Sequence, residues 1–164
     1  MVPEYEVREF CTHRVTNTGL VWWHKRPNRL VKSKSGGGRY LAFKSNKKCC
    51  KVHRVVAELY CKNPCPDIFT AVDHVDENKL NNHWRNLRWV NKTLNNMNQG
   101  RGYYWCKSTT RWKVQVGGIY FTWFRREAAA KEYADKKKIE VFNMVYKQLT
   151  GLDNAGVGDE MYLS

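Results

Sequence analysis

The spacing of apolar residues changes along this chain, and each change predicts a different kind of element. In the first fifty residues apolar positions alternate with polar ones or form short runs broken by Gly and Asn. "RVTNTGLVWW", from Arg14 to Trp23, predicts a strand, an Asn-Thr-Gly turn and a second strand. "SKSGGG", Ser33 to Gly38, predicts a flexible turn, and "RYLAFKS" after it alternates as a half-buried strand does. "KVHRVVAELYC" then takes helical spacing. Val52, Val55, Val56, Leu59 and Tyr60 fall on one face, while Arg54 and Glu58 point elsewhere. The prolines of "KNPCP" end that helix.

"IFTAVDH" is a short apolar strand that delivers Asp73 and His74 at its end. A long polar loop, "VDENKLNNHWRN", leads to a second short strand, "LRWV". Asn91 or Thr93 can cap a short helix through Gln99. Gly100 and Gly102 mark a boundary. Beyond it "YYWCK", "RWKVQV" and "IYFTWF" read as three strands rich in aromatic and β-branched residues, with Gly117-Gly118 as a hairpin turn. "RREAAAKEYADKKKIEVFNMVYKQL" follows as a helix, with Glu127–Lys131 and Glu132–Lys136 as favourable pairs. Strand alternation puts Trp112, Val114 and Val116 under this helix, with Ile119 and Phe121 beside them. Lys113, Gln115, Tyr120 and Thr122 then face outward. The expected division is 1–99, 100–149 and a disordered tail, 150–164.

Composition narrows the partners. The 164 residues carry a formal net charge of +14, and the last fifteen hold no Lys or Arg, so the rest is more basic still. Basic residues interleaved with aromatics point to a polyanion, nucleic acid first. A membrane surface fits less well, because no basic amphipathic helix with a clean apolar face stands out. No stretch approaches a transmembrane span, and "MVPEYEVREF" is no signal peptide, so a cytoplasmic, non-secreted protein is expected. The six cysteines are then reduced. A zinc site from Cys49 or Cys50, His53, Cys61 and Cys65 is disfavoured, because no pair has the two-residue spacing of zinc knuckles.

The segment Ala71–Gln99 carries the candidate chemistry. Phosphodiester hydrolysis needs a base for water and stabilisation of charge on the phosphate and leaving oxygens. A neutral imidazole suits the first need, and a hard cation on oxygen ligands suits the second. His74 can be the base, and Asp73 with an amide oxygen can be ligands. Asp73-His74, "NKLNN" at Asn78 to Asn82, Asn86-Leu87-Arg88-Trp89 and Asn95 resemble the HNH nuclease motif, also called ββα-metal. The similarity is greatest to phage and intron-encoded homing endonucleases of that family. The resemblance implies that His74 is the general base and that Asn86 orients it. It also implies that Asp73 and Asn95 bind one Mg²⁺ or Mn²⁺, with Asn96 an alternative to Asn95. Glu77 stands where many members have Gly.

Two flanking resemblances extend the reading. "VHRVVAELYC" and "RVTNTGLVWW" resemble the helix and the NUMOD4-like module that precede the motif. Gly102 to Lys137 resembles the AP2 DNA-binding domain, although Arg125-Arg126 stands where its helix usually starts with Asp or Thr. The implied fold is α+β: a ββα-metal core with N-terminal strands and a helix, then a three-stranded antiparallel sheet with one helix. The implied protein is a monomeric, metal-dependent endonuclease of double-stranded DNA. Lys48, Arg54, Arg88, Arg111, Lys113, Gln115 and Tyr120 are expected to contact DNA, with Arg39, Lys44 and Lys47 on its backbone. A non-catalytic DNA-binding regulator and a basic RNA-binding or structural protein are the other classes.

Overall fold

A computed structural model describes residues 6–31 and 39–152. The turn expected at Ser33–Gly38 and nearly all of the expected tail lie outside these residues. The described chain is mixed α/β, with small sheets and three α-helices, and forms two compact units divided between Trp89 and Val90.

In the first unit, strands β1 (Val7–Phe10), β2 (His13–Thr16), β3 (Val21–Trp23) and β4 (Arg26–Leu30) form an antiparallel meander. The turn between β2 and β3 is the expected Asn-Thr-Gly. β5 (Ala42–Ser45) and β6 (Lys48–Lys51) make a hairpin that runs directly into helix α1 (Val52–Tyr60). The helical spacing read from the sequence fits the burial. Val52, Val55, Val56 and Tyr60 are buried and join Val15 and Val21 of the sheet, Phe43 and Leu87 in one core. The Tyr60 hydroxyl donates to the Val15 carbonyl at 2.7 Å, so the ring's polar end is also satisfied inside. His53 is buried too, though the apolar pattern does not place it there. β7 (Ala71–His74) and β8 (Leu87–Val90) pair as a two-stranded sheet, with a single 3₁₀ turn, Trp84–Asn86, before β8.

The second unit begins at Val90 and includes helix α2 (Lys92–Gln99). Asn91 caps α2, its side-chain oxygen accepting from the Leu94 amide at 2.9 Å. Strands β9 (Tyr103–Cys106), β10 (Arg111–Val116) and β11 (Ile119–Phe124) form an antiparallel sheet in the order β11-β10-β9. Helix α3 (Glu127–Thr150) buries Ala130, Ala134, Val141, Phe142 and Tyr146. Gly117 and Gly118 take φ of 58° and 85°, as a tight hairpin turn requires.

The expected alternation holds on β10, where Val114 and Val116 are buried, and on β11 for the exposed Tyr120 and for Phe121, whose ring packs against Tyr133 of α3, but breaks after Phe121. A bulge between Val114 and Gln115 pairs Val114 with Thr122 and Gln115 with Tyr120, leaving one β11 residue unopposed. Thr122 therefore shares the face of Val114 instead of pointing outward, and Trp123, opposite Lys113, takes the outer face. Ile119, expected inward, is exposed at the hairpin end. No helix among the described residues is long and apolar enough to cross a membrane.

Candidate active site

β7 ends on Asp73 and His74, and both are buried, at 3 % and 4 % exposure. Successive strand residues point to opposite sides, so the two side chains have different surroundings. Asp73 meets Arg88 of β8, whose Nε and Nη2 donate to Asp73 Oδ2 at 3.2 and 3.0 Å. Arg88 is itself only 9 % exposed, so this is a buried ion pair. Arg88, expected on DNA, instead has its guanidinium against this carboxylate. β8 pairs with β7 in one small sheet, and Arg88 meets Asp73 across it.

His74 Nε2 lies 3.2 Å from Asn82 Oδ1. Asn82 is buried, and its Nδ2 donates to the Leu80 carbonyl at 3.3 Å, which turns the amide oxygen toward the imidazole. An amide oxygen only accepts, so Nε2 carries the hydrogen and Nδ1 carries the lone pair of the neutral ring. Burial pushes the His74 pKa below its ordinary value. The hydrogen bond to Asn82 and the charges of Asp73 and Asp76 oppose this, and Lys79 adds to it.

Asn86 does not take the part expected of it. Its Nδ2 donates to Asp76 Oδ1 at 2.8 Å and to the Asn81 carbonyl at 2.9 Å, and its Oδ1 accepts from the Asp76 amide at 3.1 Å. Asp76 further accepts from the Asn78 amide and from Asn81 Nδ2, both at 2.8 Å. These asparagines therefore tie the loop between β7 and β8 to itself. Asn86 acts on the loop, and the loop delivers Asn82 to His74. Sequence reasoning passed over Asn82, because position in the motif does not say which amide of "NKLNN" turns inward. Glu77 has φ of +62°, a left-handed conformation that favours glycine.

The N-terminal turn supports the same loop. Gly19 has φ of +87°, and a Cβ there would lie 2.7 Å from Asn82 Cβ. Asn17 accepts from the Trp84 amide at 2.7 Å. Only a residue without a side chain lets this turn approach the asparagine that holds His74.

Aromatic rings surround the imidazole. His53 lies 5.1 Å from His74 between ring centroids and 4.8 Å from Tyr40, and Tyr40 is 6.1 Å from His74. Lys51 and Lys79 sit over the Tyr40 ring, at 5.1 and 5.4 Å. Burial, then the charges of His74, Lys51 and Arg54, hold the His53 pKa down at about 3.

Cys61, once a candidate zinc ligand, lies in the core with its thiol toward the Trp84 and Leu87 carbonyls, and burial raises its pKa to about 12. Among the described residues no group of three or more His, Cys, Asp or Glu is arranged to hold a metal ion. Asn95 lies on α2, where its side-chain oxygen accepts from Gln99 Nε2 at 3.0 Å.

The expected DNA contacts fall in both units. Arg39, Lys44, Lys47 and Lys48 are exposed, as is Arg54, which donates to the Thr70 carbonyl at 3.2 Å. Arg111 and Tyr120 are exposed on the second sheet. Lys113 Nζ is held over the rings of Tyr104, Tyr120 and Trp123, 5.3 to 6.0 Å from their centres. Gln115 accepts from the Tyr104 hydroxyl at 3.0 Å and donates to the Gly118 carbonyl at 3.2 Å.

The chain is similar to proteins named as HNH endonucleases. It is 40 % identical over 90 residues to the DNA endonuclease I-HmuI of Bacillus phage SP01, covering 53 % of this chain and 51 % of that one. It is 36 % identical over 85 residues to an uncharacterised HNH endonuclease, L245, of Acanthamoeba polyphaga mimivirus, covering 50 % of this chain and 25 % of that one. The chain thus spans about half of the length of the first of these relatives and a quarter of the second. A solved structure of I-HmuI, described as DNA binding and cleavage by the HNH homing endonuclease, has 27 % identity and a TM-score of 0.48. It covers 80 % of this chain and 67 % of that one. No protein-family model matches the chain.

Proposed function

We propose that the chain is a DNA endonuclease of the HNH homing type, which hydrolyses phosphodiester bonds in double-stranded DNA with the help of one divalent metal ion. The observation that carries this reading is the state of His74. It is buried at the end of β7 next to Asp73, with Nε2 against Asn82 Oδ1, and burial pushes its pKa below the ordinary value, which favours the neutral, basic imidazole. The similarity to phage and viral HNH endonucleases supports it. β7, the loop, β8 and α2 make the ββα-metal finger on this reading, the N-terminal strands are its NUMOD4-like module, and β9 to α3 are an AP2-like module.

In this mechanism His74 Nδ1 takes a proton from the attacking water, and Asn82 fixes the tautomer that makes Nδ1 available. Lys51 and Lys79 raise the local positive potential where a phosphate approaches. Asp73 and Asn95 are donors of the hard oxygen type that suits Mg²⁺ or Mn²⁺, and Arg88 leaves Asp73 at most one oxygen for a cation. When bound, such an ion supplies charge stabilisation at the phosphate and leaving oxygens. The exposed basic residues of the first unit hold the DNA backbone. Lys113, Gln115 and Tyr120 on the second sheet contribute base contacts. The protein acts as a monomer.

The buried Asp73–Arg88 pair favours a second reading, in which the HNH scaffold serves a non-catalytic DNA-binding regulator. Conversion of supercoiled plasmid to nicked or linear form, with Mg²⁺ or Mn²⁺ and with EDTA, separates the two. The endonuclease reading expects metal-dependent conversion, slowed roughly 10²- to 10⁴-fold in His74→Ala with DNA affinity retained. DNA binding with no conversion under any metal favours the regulator.

A further inference from the structure

Three segments far apart in the sequence meet at Tyr40, a half-buried residue just before β5. Lys51 ends β6. The Val52 amide that follows it donates to the Leu41 carbonyl at 2.9 Å, which ties the start of α1 to the residue after Tyr40. Lys79 lies in the loop between β7 and β8. Asn78 fixes the backbone there: its Oδ1 accepts from the Leu80 amide at 3.1 Å and its carbonyl from the Asn81 amide at 3.0 Å. Both lysines place Nζ over the Tyr40 ring, at 5.1 and 5.4 Å from its centre. The same ring stands 4.8 Å from His53 and 6.1 Å from His74, between centroids.

A lysine ammonium is a point charge on a flexible stem, and on its own it samples many positions. The negative face of an aromatic ring restrains it. Two ammoniums on one ring repel each other, and an anion set beside both relieves that repulsion. The surroundings of this pair select the anion. Lys79 bears electrostatically on His74, and Lys51 on His53. The pair therefore stands at the edge of the site where a phosphodiester must arrive. Such a group brings one negative charge and two unesterified oxygens, one for each ammonium.

We propose that Tyr40 is a positioning residue: its ring gathers Lys51 and Lys79 into a clamp for the DNA phosphate that faces His74. This rests on the endonuclease reading with His74 as the base. Positive potential alone would need only the two charges, wherever their stems carried them. The ring gives them a common place. The role belongs to the ring face and not to the hydroxyl, because the face is what the ammoniums meet.

The test is single-turnover nicking of supercoiled plasmid with Mn²⁺ by the full chain, below the thermal midpoint of every variant. Tyr40→Leu removes the ring and should lower the maximal rate roughly tenfold, since a small displacement of a reacting group costs much of the rate. Tyr40→Phe keeps the face and should stay within about twofold of the parent. Lys51→Met combined with Lys79→Met should lower the rate roughly tenfold or more. Adding Tyr40→Leu to that pair should then cost less than about twofold, because a residue that acts through the lysines has nothing left to act on. A ring that only packs would cost the same in both backgrounds, and that result overturns the proposal. So does a parent-like rate in Tyr40→Leu or in the lysine pair, or a Tyr40→Phe variant as slow as Tyr40→Leu. Tyr40→Met serves in place of Tyr40→Leu if the latter does not fold. These outcomes leave the endonuclease reading standing when His74→Ala is inactive. Rapid nicking by His74→Ala, or none by the parent, overturns that reading and this inference together.

Discussion

Two asparagines four residues apart in the same loop are expected to fail differently. Asn82 touches His74, so Asn82→Ala should slow cleavage roughly tenfold or more while leaving DNA affinity near the parent's. Asn86 closes three hydrogen bonds within the loop, so Asn86→Ala should lower stability by roughly 1–3 kcal/mol, seen as a reduced thermal midpoint. Equal midpoints in the two variants would contradict this division of labour. His53 adds a pH dependence of stability. Its pKa is about 3 in the fold against an ordinary 6.5, so the unfolded chain binds more protons between those values. Stability is therefore full above about pH 6.5 and declines as pH falls toward 3, by at most roughly 5 kcal/mol. His53→Phe should flatten that decline in midpoints measured across the range. The sequence displayed Asp73 and His74 plainly, because a strand end brings adjacent side chains to fixed and opposite directions. It did not display Asn82 or His53, since both owe their place to tertiary packing: a loop folded on itself, and a helix start set against β7.

At the scale of elements, periodicity carried most of the fold. α1, the β7–β8 pair and the sheet of the second unit all occur where apolar spacing and glycine turns put them. The exceptions are local. On β11 one extra residue in a bulge moves Thr122 and Trp123 to the faces opposite those that strict alternation gives, and nothing in "IYFTWF" signals it. Two places where the sequence departs from the patterns it resembles carry predictions. Glu77 sits at φ of +62°, so Glu77→Gly should stabilise the first unit by roughly 1 kcal/mol through relief of left-handed strain. At α3, Arg126 is the N-cap and makes no side-chain cap hydrogen bond. Arg126→Asp supplies both a cap acceptor and a charge that complements the helix dipole. It should raise the midpoint by the equivalent of roughly 0.5–2 kcal/mol. An unchanged midpoint in Arg126→Asp would mean that the first turn of α3 is satisfied in some other way.

Across the whole molecule the net charge of +14 is the dominant feature, but its members do not all serve the same purpose. Lys44 and Lys48 are exposed on the β5–β6 hairpin. Arg88 is buried against Asp73. Composition counts all three alike, and only burial separates a charge that meets a polyanion from one that balances a carboxylate. The same substitution should therefore give opposite signatures. Lys44→Ala and Lys48→Ala leave the core untouched, so thermal midpoints should stay near the parent's. If both lysines meet phosphates, each loss should weaken binding to all duplex sequences alike. It should also reduce the slope of log affinity against log salt by about 0.9. Arg88→Ala strands a buried carboxylate, which should cost roughly 3–5 kcal/mol of stability. Below its own midpoint that variant should bind DNA with the parent's salt slope. Fluorescence anisotropy of a labelled duplex across a salt series, paired with thermal unfolding, reads both quantities. A reduced slope in Arg88→Ala would return that residue to the DNA surface, and unchanged slopes in both lysine variants would remove the β5–β6 hairpin from it.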